Sequence, residues 1–220
     1  AAHVARLATG QGRTGKLRQK SRSGVFEVEI AGTAADPTVS VAIPPPAMHK
    51  PIDDAARRKL LDIFGMDTGA LDPKCPLIVS GRNTTRLMIG LRSADQLASL
   101  APDFEALKRL TPHVGADGFF LFVRDAHGPN TTESRMFSPV LGIPEDPVSG
   151  NAHAMLGAYL VANGLLPVAN GRASFVGYQG RSMERPGEVH VEVEAKDGKP
   201  SQMHMKGTAR IVYRTEIALD

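Results

Sequence analysis

The sequence predicts an α+β protein in which sheets wrap around a few central helices, and three observations carry that expectation. Segments with strand-like alternation outnumber segments with helical periodicity. The run Gly118-Phe119-Phe120-Leu121-Phe122-Val123-Arg124 is continuously apolar, the pattern of a strand buried on both faces. After Glu145-Asp146-Pro147-Val148-Ser149-Gly150-Asn151, the residues Ala152, Met155, Leu156, Tyr159 and Leu160 fall at i, i+3, i+4, i+7 and i+8, so one helix face is built for burial.

In chain order, Ala1 to Leu7 reads as a helix fragment closing near Gly10. Gly24 to Ile30 and Val39 to Ile43 alternate apolar and polar residues, a strand pair joined by a turn around Asp36-Pro37. Pro44-Pro45-Pro46 interrupts any sheet and makes a stiff connector, the best boundary candidate in the chain. Pro51-Ile52-Asp53-Asp54 opens a helix through about Phe64, ended by Gly65. Strands follow at Pro76 to Ser80 and Thr85 to Leu91, then a capped helix near Ser93-Ala94-Asp95 and a helical stretch from Phe104 that stops before Pro112. Beyond the central helix, which Gly164 ends, strands are expected at Ala173 to Val176, Glu188 to Glu194 and Met203 to Tyr213, with Asp197-Gly198 as the turn between the last two.

Composition narrows the function classes. The 26 basic and 23 acidic residues leave a net charge of +3, a small excess over a mixed surface. The densest basic run, Arg13 to Arg22, has no aromatic residue interleaved for base stacking, so a solvated loop and strand face is expected there and not a nucleic-acid site. No stretch approaches the ~20 apolar residues of a membrane helix. Cys75 is the single cysteine, which excludes an intrachain disulfide and suits a reducing, cytoplasmic setting. The opening AAHVARLATG lacks the pattern of a signal peptide and starts without Met, so the sequence is expected to begin within a domain. Seven scattered histidines form no H-x-x-x-H pair, and no metal site is expected. Gly10-Gln11-Gly12-Arg13-Thr14-Gly15 spells a dinucleotide fingerprint in the reversed context, helix before and strand after. Ser149 lies in V-S-G-N, not in the strained G-x-S-x-G elbow of a hydrolase.

The richest segment is the start of the central helix. A helix leaves its first N–H groups without partners, and Ser149-Gly150-Asn151 is small, polar and flexible enough to keep them accessible. The amino end carries about half a positive charge, which favours a carboxylate ligand. Asp146 stands close enough upstream to accept from a ligand hydroxyl or amine. The plain alternative is Asp146 or Ser149 as an N-cap. A second glycine-rich segment, Gly177-Tyr178-Gln179-Gly180-Arg181, is compatible with the same pocket or with a simple turn.

Ser134-Arg135-Met136-Phe137-Ser138-Pro139, then Gly142-Ile143-Pro144-Glu145-Asp146-Pro147-Val148-Ser149-Gly150-Asn151-Ala152-His153, then Gly177 to Arg181, together resemble the PhzF family of phenazine-biosynthesis-like isomerases, closest to its bacterial YddE-type branch. The resemblance runs along the whole chain. It implies the diaminopimelate-epimerase-like fold, two similar domains that are each a barrel-like mixed sheet around a central helix. Residues 1–50 would be the remainder of the first domain, with the last strand, about 207–220, crossing back to it. Residues 51–206 would be the second, with its central helix at about 151–163.

The resemblance also implies a cofactor-free proton shift in a small carboxylate-bearing metabolite, carried out by a homodimer without metal. Asp146 matches the family's substrate-contacting aspartate, and Asn151 stands where the phenazine enzyme has a serine. Ser149, Gly150, Ala152, Gln179 and Gly180 would line the substrate. The acid/base glutamate and a histidine are expected upstream of Ala1. Two departures follow: Asn151 cannot relay a proton as a hydroxyl can, and Met183-Glu184-Arg185 replaces a common Gly-Arg at the rim. An amino-acid epimerase of the same fold and a non-catalytic small-molecule-binding protein are the alternatives, and the roles of His153 and Cys75 stay open.

Overall fold

The computed structural model describes residues 15–21, 24–33 and 37–208. The helix fragment over Ala1 to Leu7, most of the Gly10 to Gly15 fragment, the turn at Asp36 and the strand beyond Thr208 lie outside the described residues. The chain is α+β and forms two compact units, residues 1–43 with 206–220, and residues 44–205.

In the first unit β1 (Gly15–Ser21), β2 (Gly24–Gly32) and β3 (Pro37–Ile43) form an antiparallel meander with Gly15 opposite Ile30 and Val28 opposite Val41. Val28 and Ile30 are buried while Glu27 and Glu29 are exposed, the period of two expected for a one-sided sheet. Lys16, Arg18 and Lys20, in the described part of the basic run, are exposed on β1.

The second unit is a mixed sheet in the order β4 (Met48–Pro51), β5 (Ile78–Gly81), β6 (Thr85–Leu91), β7 (Phe119–Arg124), β8 (Thr131–Ser138), β10 (Arg172–Gln179), β11 (Gly187–Lys196), β12 (Lys199–Thr208, of which the part up to Met205 belongs to this unit), with β9 (Ile143–Asp146) paired to β8 off this path. The β6/β7 and β8/β10 pairs are parallel. β7 is buried on both faces, as its unbroken apolar run requires. Asp197 and Gly198, at φ 51° and 73°, make the tight turn before β12.

One face of this sheet is covered by α1 (Asp54–Phe64), α2 (Ala94–Ser99) and α3 (Phe104–Val114), whose Leu60, Phe64, Leu97, Leu107 and Leu110 pack on Leu87, Ile89, Phe119, Leu121 and Phe137. Asp53, Ser93 and Asp103 cap these helices by accepting backbone N–H bonds. α3 does not stop before Pro112 but runs three residues further, through Val114, and ends at Gly115 in the left-handed region, φ 67°. Pro112 costs the helix one hydrogen bond in its last turn, and the burial of Leu110 and Val114 offsets that loss.

The other face curls around α4 (Gly150–Ala162). Phe120 meets His153 edge-on at 5.2 Å, Phe122 meets Tyr159 at 5.8 Å, and Gly157 lets Val191, Val193 and Met203 come close. Every residue from Ala152 to Val161 is buried, so the helix has no solvent face. The five-residue stripe read from spacing is only part of the buried surface, because strands approach α4 from several sides; the alanines and Gly157 between the large side chains make that approach possible.

Arg135 locks β8, β9 and α2 together. Its Nε and Nη2 donate to the two oxygens of Glu145, both at 2.8 Å, and its Nη1 donates to the carbonyls of Leu97, Ala98 and Leu100 at the end of α2. The guanidinium also lies 5.0 Å from the centre of the Phe137 ring. Removing one partner of such an enclosed pair strands the other charge. Arg135→Leu is therefore expected to cost ~3–5 kcal/mol in urea unfolding, and Arg135→Leu with Glu145→Leu less than the sum of the single changes.

Candidate functional site

β9 ends at Asp146, and three residues carry the chain into α4. Ser149 caps the helix: its Oγ accepts from the Ala152 amide at 3.3 Å, and its carbonyl accepts from the amide of His153 at 3.1 Å. Gln179, 1% exposed at the end of β10, braces this turn from below. Its Oε1 accepts from the Ser149 amide at 3.2 Å, and its Nε2 donates to the Asp146 carbonyl. Gly180, at φ 89°, follows because any Cβ there would overlap the carbonyl oxygens of Pro147 and Arg185.

The structure thus brings Asp146, Ser149, Gly150, Asn151, Gln179 and Gly180 together. It also sorts them. The amides of Ser149 and Ala152 are engaged by Gln179 and Ser149, and Ala152 is buried in the core, so the amides of Gly150 and Asn151 are the ones in this turn without a partner among the described residues. Both ends of the Gln179 side chain are used on the protein's own backbone. The half-buried Asp146 carboxylate accepts only from the Val148 amide, at 3.2 Å, among the described residues. Asn151 is exposed and donates from Nδ2 to Thr84 Oγ1 at 3.1 Å, which ties the helix start to the β5–β6 hairpin.

His153 is wholly buried. Nδ1 carries the proton, since it faces the Ser149 carbonyl at 2.8 Å, and Nε2 lies 3.4 Å from Ser134 Oγ. A Cβ on Gly177 would overlap the ring, so this glycine makes room for it. Burial pushes the imidazole down to about 4, only partly opposed by its bond to the Ser149 carbonyl, and the ring is neutral at pH 7. Cys75 is also buried; burial and then the neighbouring Asp72 carboxylate push its thiol up to about 12. Asp72 is itself held by Arg124 at 2.8 Å.

Sequence reasoning passed over Arg86, which is 6% exposed on β6. Its Nε points at Met136 Sδ, 3.4 Å away, and its Nη1 donates to the Thr85 carbonyl at 2.8 Å, but it forms no ion pair among the described residues. Burial lowers its pKa, against the opposing pull of the Asp117 and Asp146 charges. The signal was available: an arginine in phase with Met88 on an otherwise apolar strand must point inward. Among the described residues no group of three or more His, Cys, Asp or Glu could hold a metal, and no helix is long and apolar enough to cross a membrane.

His153 titrates near 6.5 when unfolded and near 4 when folded, so between those values the unfolded chain binds more protons. Stability contributed by this residue is complete above about pH 6.5 and falls, by roughly 3 kcal/mol, as pH drops to about 4. Urea midpoints measured across this interval should show that slope, and His153→Gln should flatten it. The Cys75 thiol should resist alkylation at pH 8 in the folded protein and react once urea exposes it.

The profile of the phenazine biosynthesis-like protein family, PhzC-PhzF, matches residues 1–215. The chain is 32% identical to the uncharacterized isomerase YddE of Escherichia coli K12 over 92% of its own length and 68% of that protein's. It is 28% identical to an uncharacterized isomerase of Clostridium acetobutylicum over 100% and 73% of the two lengths. Among solved structures, a PhzF-family phenazine biosynthesis protein of Bacillus anthracis superposes with a TM-score of 0.77 at 17% identity, covering 94% of this chain and 73% of that one. A predicted epimerase of Pseudomonas aeruginosa gives 0.72 at 22%, covering 97% and 72%. The fold is shared with these structures, and the chain belongs to the PhzC-PhzF family of phenazine biosynthesis-like proteins.

Proposed function

We propose that the chain is the greater part of a cofactor-independent isomerase that moves a proton, and with it a double bond, in a small carboxylate-bearing metabolite. The observation that carries this reading is the Gln179-braced turn, which presents the unpartnered Gly150 and Asn151 amides beside the Asp146 carboxylate. A substrate carboxylate at those amides sits at the positive end of α4, and Asp146 accepts from a hydroxyl or amine on the same molecule. The names of the relatives support an isomerase.

Proton transfer to and from carbon needs one carboxylate near the reacting atom, tuned by burial to take and return the proton. The family resemblance implies a glutamate in that role upstream of Ala1, and a histidine upstream as well. Asp146 and Asn151 then orient the substrate; Asn151 has a carboxamide, which donates and accepts but does not relay a proton. An epimerase working through cysteine needs a thiolate, and the buried, protonated Cys75 does not supply one.

The test is exchange. Protein carrying its preceding sequence, incubated in D2O with a panel of small unsaturated carboxylates, should place one deuteron on carbon in at least one of them. Asp146→Asn should slow that exchange by about 10²-fold through lost orientation. Carboxylate binding without exchange across the panel would instead make this a binding protein.

A further inference from the structure

α4 and β7 share a ruler. Phe122 meets Tyr159 and Phe120 meets His153, so descending β7 leads toward the start of the helix. The next position on that face, about 6.5 Å further, is Gly118.

The sheet sets three polar side chains around Gly118. Ser80 pairs with Arg86 across β5 and β6, and the parallel and antiparallel registers carry the same row through Gly118 to Ser138 on β8. Their neighbours Val79, Leu87, Phe119 and Phe137 belong to the opposite core, so Ser80, Arg86 and Ser138 face the α4 side. A Cβ at Gly118 would overlap Ser138 Oγ and lie 3.0 Å from Arg86 Cδ. The missing side chain is what lets these groups converge.

Ser80 and Ser138 are 0% exposed, and neither hydroxyl has a hydrogen-bond partner. Arg86 beside them has no ion pair, and its Nη2 has no partner among the described residues. A buried guanidinium with no carboxylate at ion-pair distance, on which Asp117 and Asp146 act only from further away, set between two unpaired hydroxyls, costs stability unless something accepts from all three. A carboxylate does so: it takes two parallel N–H bonds from the fork and one from each hydroxyl.

We infer that Arg86, Ser80 and Ser138 form a second carboxylate subsite, so that the ligand of this protein is a small dicarboxylate with one end on the Gly150 and Asn151 amides and the other on Arg86. The inference rests on the proposed carboxylate site at α4 and not on the proton-shift chemistry. Asp146, whose charge acts on Arg86, stands at the same end of the unit.

Titration calorimetry of the full chain with malonate, succinate and glutarate, against butyrate at constant ionic strength, tests the subsite. At least one dicarboxylate should bind about tenfold more tightly than butyrate, and Arg86→Gln should erase the difference. Ser80→Ala with Ser138→Ala, which removes two unpaired hydroxyls and should fold without loss, should weaken the dicarboxylate by about threefold or more. The inference is overturned if wild-type protein shows no dicarboxylate preference, or if the preference survives in the serine double variant and in any folded Arg86 variant. Dicarboxylate preference without deuterium exchange would remove the isomerase and leave the subsite; exchange without preference would do the reverse.

Discussion

The bond on which the site depends is the fork of Arg135 onto Glu145. β9 is only four residues long and pairs with β8 through an irregular register, so the ladder alone holds it weakly. The two parallel N–H bonds from Arg135 fix Glu145, and with it the neighbouring Asp146, against β8, while Nη1 spends its protons on carbonyls that the end of α2 leaves without helical partners. An ion pair this enclosed contributes less to net stability than to geometry, because both charges left water to make it. Its effect here is to give a short strand one position.

From Glu145 onward, placement passes to uncharged groups. Gln179 grips the chain on both sides of the Pro147–Val148 turn, and His153 reaches back to the carbonyl of the N-cap. Gln179 gives partners to an amide and a carbonyl of the turn, His153 adds a second donor to the Ser149 carbonyl, and both side chains are buried. The amides of Gly150 and Asn151 are exceptions within a turn where the amides of Val148, Ser149, Ala152 and His153 are bonded. That contrast, more than the helix end itself, marks them as available to a ligand.

Much of this arrangement was legible in the residues. The unbroken apolar run of β7, the Asp197-Gly198 turn and the small polar start of α4 each have a local cause, and each forms where its pattern indicates. What sequence could not show were relations set by distant strands. The burial of α4 on all sides needs β5 to β7 and β10 to β12 at once, and a stripe of large residues reveals only the positions whose side chains reach furthest. α3 passes through Pro112 because Leu110 and Val114 have a core to enter, a tertiary fact that outweighs a local preference. Gln179 reads as a loop residue until its two backbone partners are known, and Arg135 reads as part of a motif until the end of α2 is beside it.

The enclosure of α4 has a consequence for how the chain comes to be folded. The helix carries no polar face with which to wait in water, and its covering strands lie on either side of it in sequence, β5 to β8 before and β10 to β12 after. As the chain leaves the ribosome, the apolar segment from Ala152 to Val161 emerges while the strands that close over Gly157 are still to be made. The core on the α1 to α3 side can form from residues already synthesised, whereas the α4 side cannot. The late strands therefore act as the closing wall of the unit, and chains cut between α4 and β11 should present the apolar helix to other chains and to chaperones.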